Sequence, residues 1–79
     1  MEIKVYGPGC RNCTNLEKEV MNALTELDVA ANVEKVTDIK AIAEAGIMMT
    51  PGLAINGKVK SYGRVPKREE IKEFIKSEM

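Results

Sequence analysis

The sequence contains no histidine and no tryptophan, and its aromatic residues are one phenylalanine and two tyrosines. A closed zinc tetrahedron needs four ligands, so two cysteines without any histidine disfavour a zinc site made by this chain alone. The 12 basic and 12 acidic residues cancel to a formal charge of zero. With so few aromatic residues and no basic excess, we expect no nucleic-acid partner.

Long apolar runs and targeting signals are also missing. The stretch IAEAGIMM, interrupted by Glu44 and Gly46, is far shorter than the ~20 residues that a bilayer crossing requires, so no membrane association is expected. No basic, apolar and small-residue succession precedes the first strand-like residues, which favours a cytoplasmic location. Thiols in that compartment stay reduced unless they are catalytic.

The pattern of apolar residues predicts seven elements in one domain of residues 1–79. Strands are expected at 2–6, at 32–37, and on either side of Asn56-Gly57, a pair typical of a two-residue hairpin turn. A first helix carries an apolar stripe from Cys13 to Leu27 and ends near Val29. A short helix is expected between Asp38 as its N-cap and Gly46, and an amphipathic helix should close the chain within 67–79.

This order is βαβαββα, an α/β arrangement. A β-α-β start predicts a parallel strand pair joined by a right-handed crossover, and the later hairpin adds an antiparallel edge to the same sheet.

Cys10 and Cys13 form a C-x-x-C motif where the first strand gives way to the first helix. In a cytosolic β-α-β context this spacing is typical of a redox-active dithiol. Backbone N–H groups and the dipole at a helix N-terminus stabilise a thiolate, which can lower a cysteine pKa well below its usual value of about 8.5.

The two thiols are not expected to be equivalent. Cys13 falls on the buried stripe of the helix, whereas Cys10 lies before the first turn among glycines, so Cys10 is predicted to be the nucleophile and Cys13 the resolving thiol. Gly7 and Gly9 leave room for a partner chain, and the Arg11 cation favours the Cys10 thiolate.

Three other interpretations of the cysteines stay open. A structural disulfide would close so short a loop that it stabilises the fold by only about 2 kcal/mol, and a reducing cytosol would open it. Two inert packed thiols are a second possibility. The third is a Cu(I) site, since copper-carrier domains hold soft thiolates at a similar place, but those domains end on a strand and carry a methionine two residues before the first cysteine.

MMTPG, residues 48–52, precedes the third strand. Pro51 cannot lie inside a central strand, so it belongs at the strand's start. If the Thr50-Pro51 bond is cis, the Thr50 backbone faces the cysteines and can pair with an extended partner segment. Met48 and Met49 fit either a soft apolar groove or the core.

The chain resembles the thioredoxin superfamily, and most closely the small archaeal and bacterial thioredoxin-like proteins of the redox-active disulfide type. The resemblance covers YGPGCRNC, the following helix, TPGLAINGKVKSYGRVP and the terminal helix. It implies a thioredoxin fold with a four-stranded mixed sheet flanked by three helices, a cis proline at Pro51, electron transport by thiol–disulfide exchange, and a glutaredoxin-like size. The chain departs from Trp-Cys-Gly-Pro-Cys and from Cys-Pro-Tyr-Cys, the motifs of thioredoxins proper and glutaredoxins.

These observations together predict a protein disulfide reductase that uses Cys10 and Cys13, with Thr50, Pro51, Gly9 and Arg11 at the substrate. No cofactor or metal is expected. Disulfide-containing protein substrates and an external reductase are the expected partners, and the chain is expected to be a monomer. The alternatives are a Cu(I) carrier, a glutathione-dependent glutaredoxin and a noncatalytic binding module.

Overall fold

The computed structural model describes residues 1–9 and 11–79. The described residues form four strands and three helices in the predicted βαβαββα order. Their bounds are β1 Glu2–Tyr6, α1 Arg11–Leu27, β2 Asn32–Val36, α2 Ile39–Glu44, β3 Gly52–Ile55, β4 Lys58–Tyr62 and α3 Arg68–Lys76. The predictions differ from these bounds only at element ends. α1 stops at Leu27 and not near Val29, β2 stops one residue before Thr37, and α3 stops before the last residues of the chain.

The strands form one mixed sheet in the order β2-β1-β3-β4. β1 pairs with β2 in parallel, as a β-α-β unit requires, and the β1–β3 and β3–β4 pairs are antiparallel. The parallel β1–β2 pair and the antiparallel β3–β4 hairpin predicted from the sequence are therefore confirmed. Tyr6 is in register with Val36 and Gly52, and Gly52 is in register with Tyr62. These four residues therefore mark one end of the sheet, where the strands stop or start.

The turn between β3 and β4 has the conformation that its sequence demands. Asn56 and Gly57 both have positive φ, at 52° and 81°, as a type I′ turn requires. The Asn56 side chain also accepts a hydrogen bond from the Glu2 backbone N–H at 3.0 Å, and the Asn56 N–H donates to the Glu2 carbonyl at 2.7 Å. The hairpin is thereby fastened to the first residue of β1.

The helices lie on both faces of the sheet. α1 and α3 cover one face and bury the larger core, whose fully or nearly fully buried members are Ile3, Val5, Leu16, Val20, Ala23, Leu24, Leu53, Ile55, Ile71 and Ile75. α2 and the segment after it cover part of the other face with a smaller cluster of Tyr6, Ile42, Ile47 and Ala54. None of the helices in the described residues is long and apolar enough to cross a bilayer.

Local signals set the ends of two helices. The Asp38 side chain accepts a hydrogen bond from the Lys40 N–H at 3.0 Å and so caps α2, as predicted. Gly46 follows that helix with a φ of 81°, the left-handed conformation that favours glycine. After α1, Asp28 takes a similar conformation with a φ of 56°, and the Val29 N–H returns to the Leu24 carbonyl at 3.0 Å.

Ion pairs join α1 to α3 at the surface of the larger core. Arg68 donates to both carboxylate oxygens of Glu19, at 2.9 and 3.3 Å, and to Glu26 at 2.8 Å. Lys72 lies 2.5 Å from Glu26 and 3.3 Å from Glu69. The hydrogen bond from Arg68 lowers the pKa of Glu19, and the bonds from Lys72 and then Arg68 lower the pKa of Glu26.

Candidate active site

The segment that leads to the C-x-x-C motif and the Thr50-Pro51 segment lie at the same end of the sheet, which is marked by Tyr6, Gly52 and Tyr62. The chain leaves β1 at Tyr6, passes through residues 7–10 and enters α1 at Arg11. It enters β3 at Gly52, directly after Pro51, and Gly52 lies beside Tyr6. Two segments separated by about forty residues in the sequence are neighbours here because β1 and β3 pair directly.

Cys13 lies in the first turns of α1 and has no solvent exposure. Its side chain occupies the space beside Gly7: a Cβ on Gly7 would collide with the Cys13 sulfur and would lie only 2.9 Å from the Cys13 Cβ. Gly7 is itself buried, and its N–H donates to the Val36 carbonyl at 2.9 Å. The glycine therefore makes room for Cys13, whereas the sequence interpretation had it making room for a partner chain.

The Thr50-Pro51 bond is cis. Pro51 is fully buried at the start of β3, and its carbonyl accepts a hydrogen bond from the Gly63 N–H at 2.9 Å. Thr50 is partly exposed, and its Cβ lies 3.9 Å from the position that a Cβ on Gly7 would take. A Cβ on Gly7 would thus lie close to both Cys13 and Thr50.

Two other predicted site residues are described: Gly9 lies in the segment before α1, and Arg11 is the first residue of α1. Cys10 is outside the described residues. Gly9 is exposed and has a φ of 94°, and a Cβ built on it would meet no atom within 4 Å. Arg11 is exposed at the first position of α1. The described contacts bring Cys13 and Thr50 close to Gly7.

The charge around the start of α1 favours an anion. The first turn of α1 contains no acidic residue, and Arg11 adds a cation there. Another cation, Arg64, follows Gly63 but is held by Glu70 through two hydrogen bonds of 2.8 and 3.2 Å. These bonds raise the pKa of Arg64 and lower that of Glu70, which fixes the loop between β4 and α3 to the start of α3.

An apolar groove of about 370 Å³ adjoins the Pro51 segment. None of its lining residues is charged; they are Pro8, Ile39, Ile42, Ala43, Ile47, Met48 and Thr50. Pro8 belongs to the loop that carries the cysteine motif, and Thr50 belongs to the proline motif. The groove therefore extends from the site toward α2, and four of its residues are exposed: Pro8, Ile39, Ala43 and Met48.

Sequence reasoning missed two features of the site. The close packing of Gly7 on Cys13 joins the end of β1 to the start of α1, and the only sequence signal for it is the glycine directly after the strand. The exposure of Ile39 was the second, because an apolar residue of a short helix usually lies in the core. For Met48 and Met49 the sequence left a groove and the core open, and both side chains are exposed. Among residues 1–9 and 11–79, no group of three or more histidine, cysteine or acidic side chains is arranged to hold a metal ion.

Fold and site together define a class. A four-stranded mixed sheet with α1 and α3 on one face, α2 on the other, and a C-x-x-C between the first strand and the first helix is the thioredoxin-fold arrangement. Its described site offers a buried cysteine in the first turn of α1 and, near the same Gly7, the Thr50-Pro51 pair that leads into β3.

The comparisons identify the family. A family model described as a thioredoxin domain matches residues 1–76. A protein named thioredoxin from Methanothermobacter thermautotrophicus is 45% identical over 75 residues, which cover 95% of this chain and 97% of that protein. A thioredoxin from Methanocaldococcus jannaschii is 40% identical over 95% of this chain and 86% of its own length. A probable thioredoxin from the first organism is 36% identical over the whole of this chain and 96% of its own length.

The chain belongs to the thioredoxin family. At the level of the family, this makes it a thiol–disulfide oxidoreductase.

Proposed function

We propose that this chain reduces disulfide bonds in protein substrates with a dithiol formed by Cys10 and Cys13. The observation that carries the proposal is the complete burial of Cys13 in the first turns of α1, while α1 begins at the residue that follows Cys10 in the sequence. A thiol that solvent cannot reach is unsuited to the first attack on a large partner, but it can attack a neighbouring sulfur from inside the protein.

The proposed exchange has two steps. The Cys10 thiolate attacks one sulfur of the substrate disulfide, the substrate S–S bond breaks, and the leaving sulfur departs as a thiolate that takes up a proton. Cys13, after losing its proton, then attacks the Cys10 sulfur of the mixed disulfide and releases the second substrate thiolate. The substrate gains two electrons and two protons, and Cys10 and Cys13 become joined. An external reductase supplies two electrons to restore the dithiol.

The neighbours of the cysteines have distinct proposed roles. Arg11 and the N–H groups at the start of α1 stabilise the Cys10 thiolate, and the absence of acidic residues from that first turn supports this role. Gly9, with open space where a side chain would be, lets a substrate approach. Thr50 pairs through its backbone with an extended substrate segment, and buried Pro51 positions Thr50.

The test is reduction of insulin by the wild type, Cys10→Ser and Cys13→Ser, with dithiothreitol as the terminal reductant. Both variants should lose catalytic turnover. When the reduced proteins are freed of dithiothreitol and then mixed with insulin, Cys13→Ser should accumulate a covalent mixed disulfide, because the resolving thiol is missing, whereas Cys10→Ser should trap none. Asn22→Ser, an exposed change farther along α1, is the matched control and should keep full activity.

Two results would overturn the proposal. An active Cys10→Ser with an inactive Cys13→Ser would reverse the roles of the cysteines. Reduction that proceeds with glutathione but fails with both dithiothreitol and a thioredoxin reductase would instead favour a glutaredoxin activity.

A further inference from the structure

Two methionines lie directly before the proline motif, and both are exposed to solvent. Met48 has 88% of its surface exposed and Met49 has 61%. Met48 lines the apolar groove, which is also lined by Pro8 from the segment between β1 and α1. Met49 packs on Gly63, with its Cβ 3.3 Å from the position that a Cβ on Gly63 would take, and the Gly63 N–H is the donor to the Pro51 carbonyl.

Peroxide in solution can reach and oxidise the sulfur of an exposed methionine side chain. When hydrogen peroxide meets such a sulfur, a sulfur lone pair attacks one peroxide oxygen, the O–O bond breaks, and a sulfoxide and one water molecule form. The sulfur is oxidised by two electrons and the peroxide is reduced by two. The product replaces a flexible apolar side chain with a polar one, and methionine sulfoxide reductases can reverse the change.

We propose that Met48 and Met49 are a site of peroxide modification, and that their sulfoxides weaken the reduction of protein disulfides by this chain. The second half of this inference rests on the proposed function. A protein substrate that reaches the cysteines covers the groove beside them, and a sulfoxide covered there would lose its hydration without a charged or donor-rich lining to replace it. A small disulfide, which needs contact only with the reacting sulfur, should be affected far less.

The chain contains its own control for methionine exposure. Met79 is 74% exposed, between the values of Met48 and Met49. It follows Glu78, which pairs with Lys60 at 2.8 Å and Lys58 at 3.4 Å near the start of β4. Lys58 is in register with Ile55, at the opposite end of the sheet from Gly52 and Pro51. Sulfoxidation of Met79 should therefore leave the site unchanged.

The experiment uses the wild type, the double variant Met48→Leu/Met49→Leu, and Met79→Leu. Each protein is first oxidised at its cysteines, so that peroxide cannot consume the thiols, then treated with hydrogen peroxide and mapped by peptide mass spectrometry. After reduction of the cysteines, insulin reduction and single-turnover reduction of a small aromatic disulfide are measured. Each activity is normalised to that of the same protein without peroxide.

We expect Met48 and Met49 to be oxidised at least as fast as Met79. In the wild type and in Met79→Leu, peroxide should lower kcat/KM for insulin by about fourfold or more, the factor that corresponds to losing one buried methylene group. The rate with the small disulfide should change less than about twofold, and the double variant should keep its own untreated kcat/KM.

If mapping finds Met79 oxidised but Met48 and Met49 intact, the proposal that these two methionines are a modification site is wrong. The proposed effect of the sulfoxides on activity is wrong if peroxide lowers insulin reduction equally in the double variant and the wild type. It is also wrong if the fully oxidised wild type loses no activity. If untreated protein reduces neither substrate, the proposed function and the effect on it fail together, while the mapping still decides the modification site.

Discussion

At the scale of single residues, the site depends on an absent side chain. Gly7 directly follows β1, and the Cys13 side chain fills the space where a Cβ on residue 7 would lie. Gly7 is also held by its hydrogen bond to Val36, so the backbone cannot move away without breaking a bond at the edge of the sheet. Protein interiors are packed closely enough that one added methyl group is felt.

Gly7→Ala should therefore destabilise the protein by about 1–3 kcal/mol, the usual cost of overpacking a core. The new methyl group must displace either Cys13 or the β1 end, so the second exchange step should also slow. Chemical denaturation gives the free energy of unfolding, and the lifetime of the mixed disulfide reports the second step.

Cys13→Ala is the matched change for this pair, because it removes the sulfur that collides with the new methyl group. In a double-mutant cycle, Gly7→Ala should cost less stability in the Cys13→Ala background than in the wild type. An equal cost in both backgrounds would show that the contact between residues 7 and 13 does not limit stability.

At the scale of elements, α3 is held against α1 by apolar contacts and by a network of charges across their exposed side. Ile71 and Ile75 of α3 are fully buried in the larger core, and Phe74 packs against that core while partly exposed. Arg68 and Lys72 extend from the same helix to Glu19 and Glu26 of α1. Because both carboxylates have lowered pKa values in the folded protein, the network links stability to acid pH.

The direction of this pH dependence follows from the glutamates. Their pKa values lie below the ordinary value of 4.5, so their stabilising contribution is complete above about pH 4.5 and is lost as the pH falls through the folded-state values. Arg68→Met removes one partner from each glutamate. We expect a lower Tm than wild type at pH 7 and a difference that shrinks as the pH is lowered below 4.5.

Thermal unfolding followed by circular dichroism at several pH values measures this difference. Lys76→Met is the control, because Lys76 lies in an exposed pair with Glu73 at 3.8 Å on the same helix, and its loss should change the Tm little at any pH. A Tm difference for Arg68→Met that stays constant from pH 7 to acid would show that Arg68 acts through its aliphatic stem and not through its charge.

At the scale of the whole molecule, the sheet has two outer strands, β2 and β4. Unpaired edges invite pairing with another chain, and charged side chains on an edge oppose it. β2 carries exposed Glu34 and Lys35, and β4 carries Lys58 and Lys60, of which Lys58 is exposed. These charges support the prediction that the chain is a monomer.

Sedimentation analysis over a range of protein concentrations should give the mass of one chain throughout. Glu34→Val/Lys35→Ile should introduce concentration-dependent association, because it removes both charges from the β2 edge and adds β-branched residues. Lys18→Ile on exposed α1 is the control for added apolar surface and should stay monomeric. A wild-type dimer, or equal association of both variants, would contradict this account of the edges.

Several expectations concern the whole protein and stay predictions. They are the single domain of residues 1–79, the cytoplasmic location, the external reductase, and the assignment of Cys10 as nucleophile, which falls on the one residue outside the described part of the structure. The fold and the thioredoxin family are confirmed.

The sequence by itself determined the order of elements, the parallel β1–β2 pair, the β3–β4 hairpin with its Asn56-Gly57 turn, and the Asp38 cap. Those features follow from residues close together in the chain: apolar periodicity, positive φ and a side chain that reaches its own helix. Only the tertiary structure decided three other features. They are the close packing of Cys13 on Gly7, the ion pairs between α1 and α3, and the exposure of Met48 and Met49. Each depends on which distant segments pack together, and a local pattern of residue types does not specify those contacts.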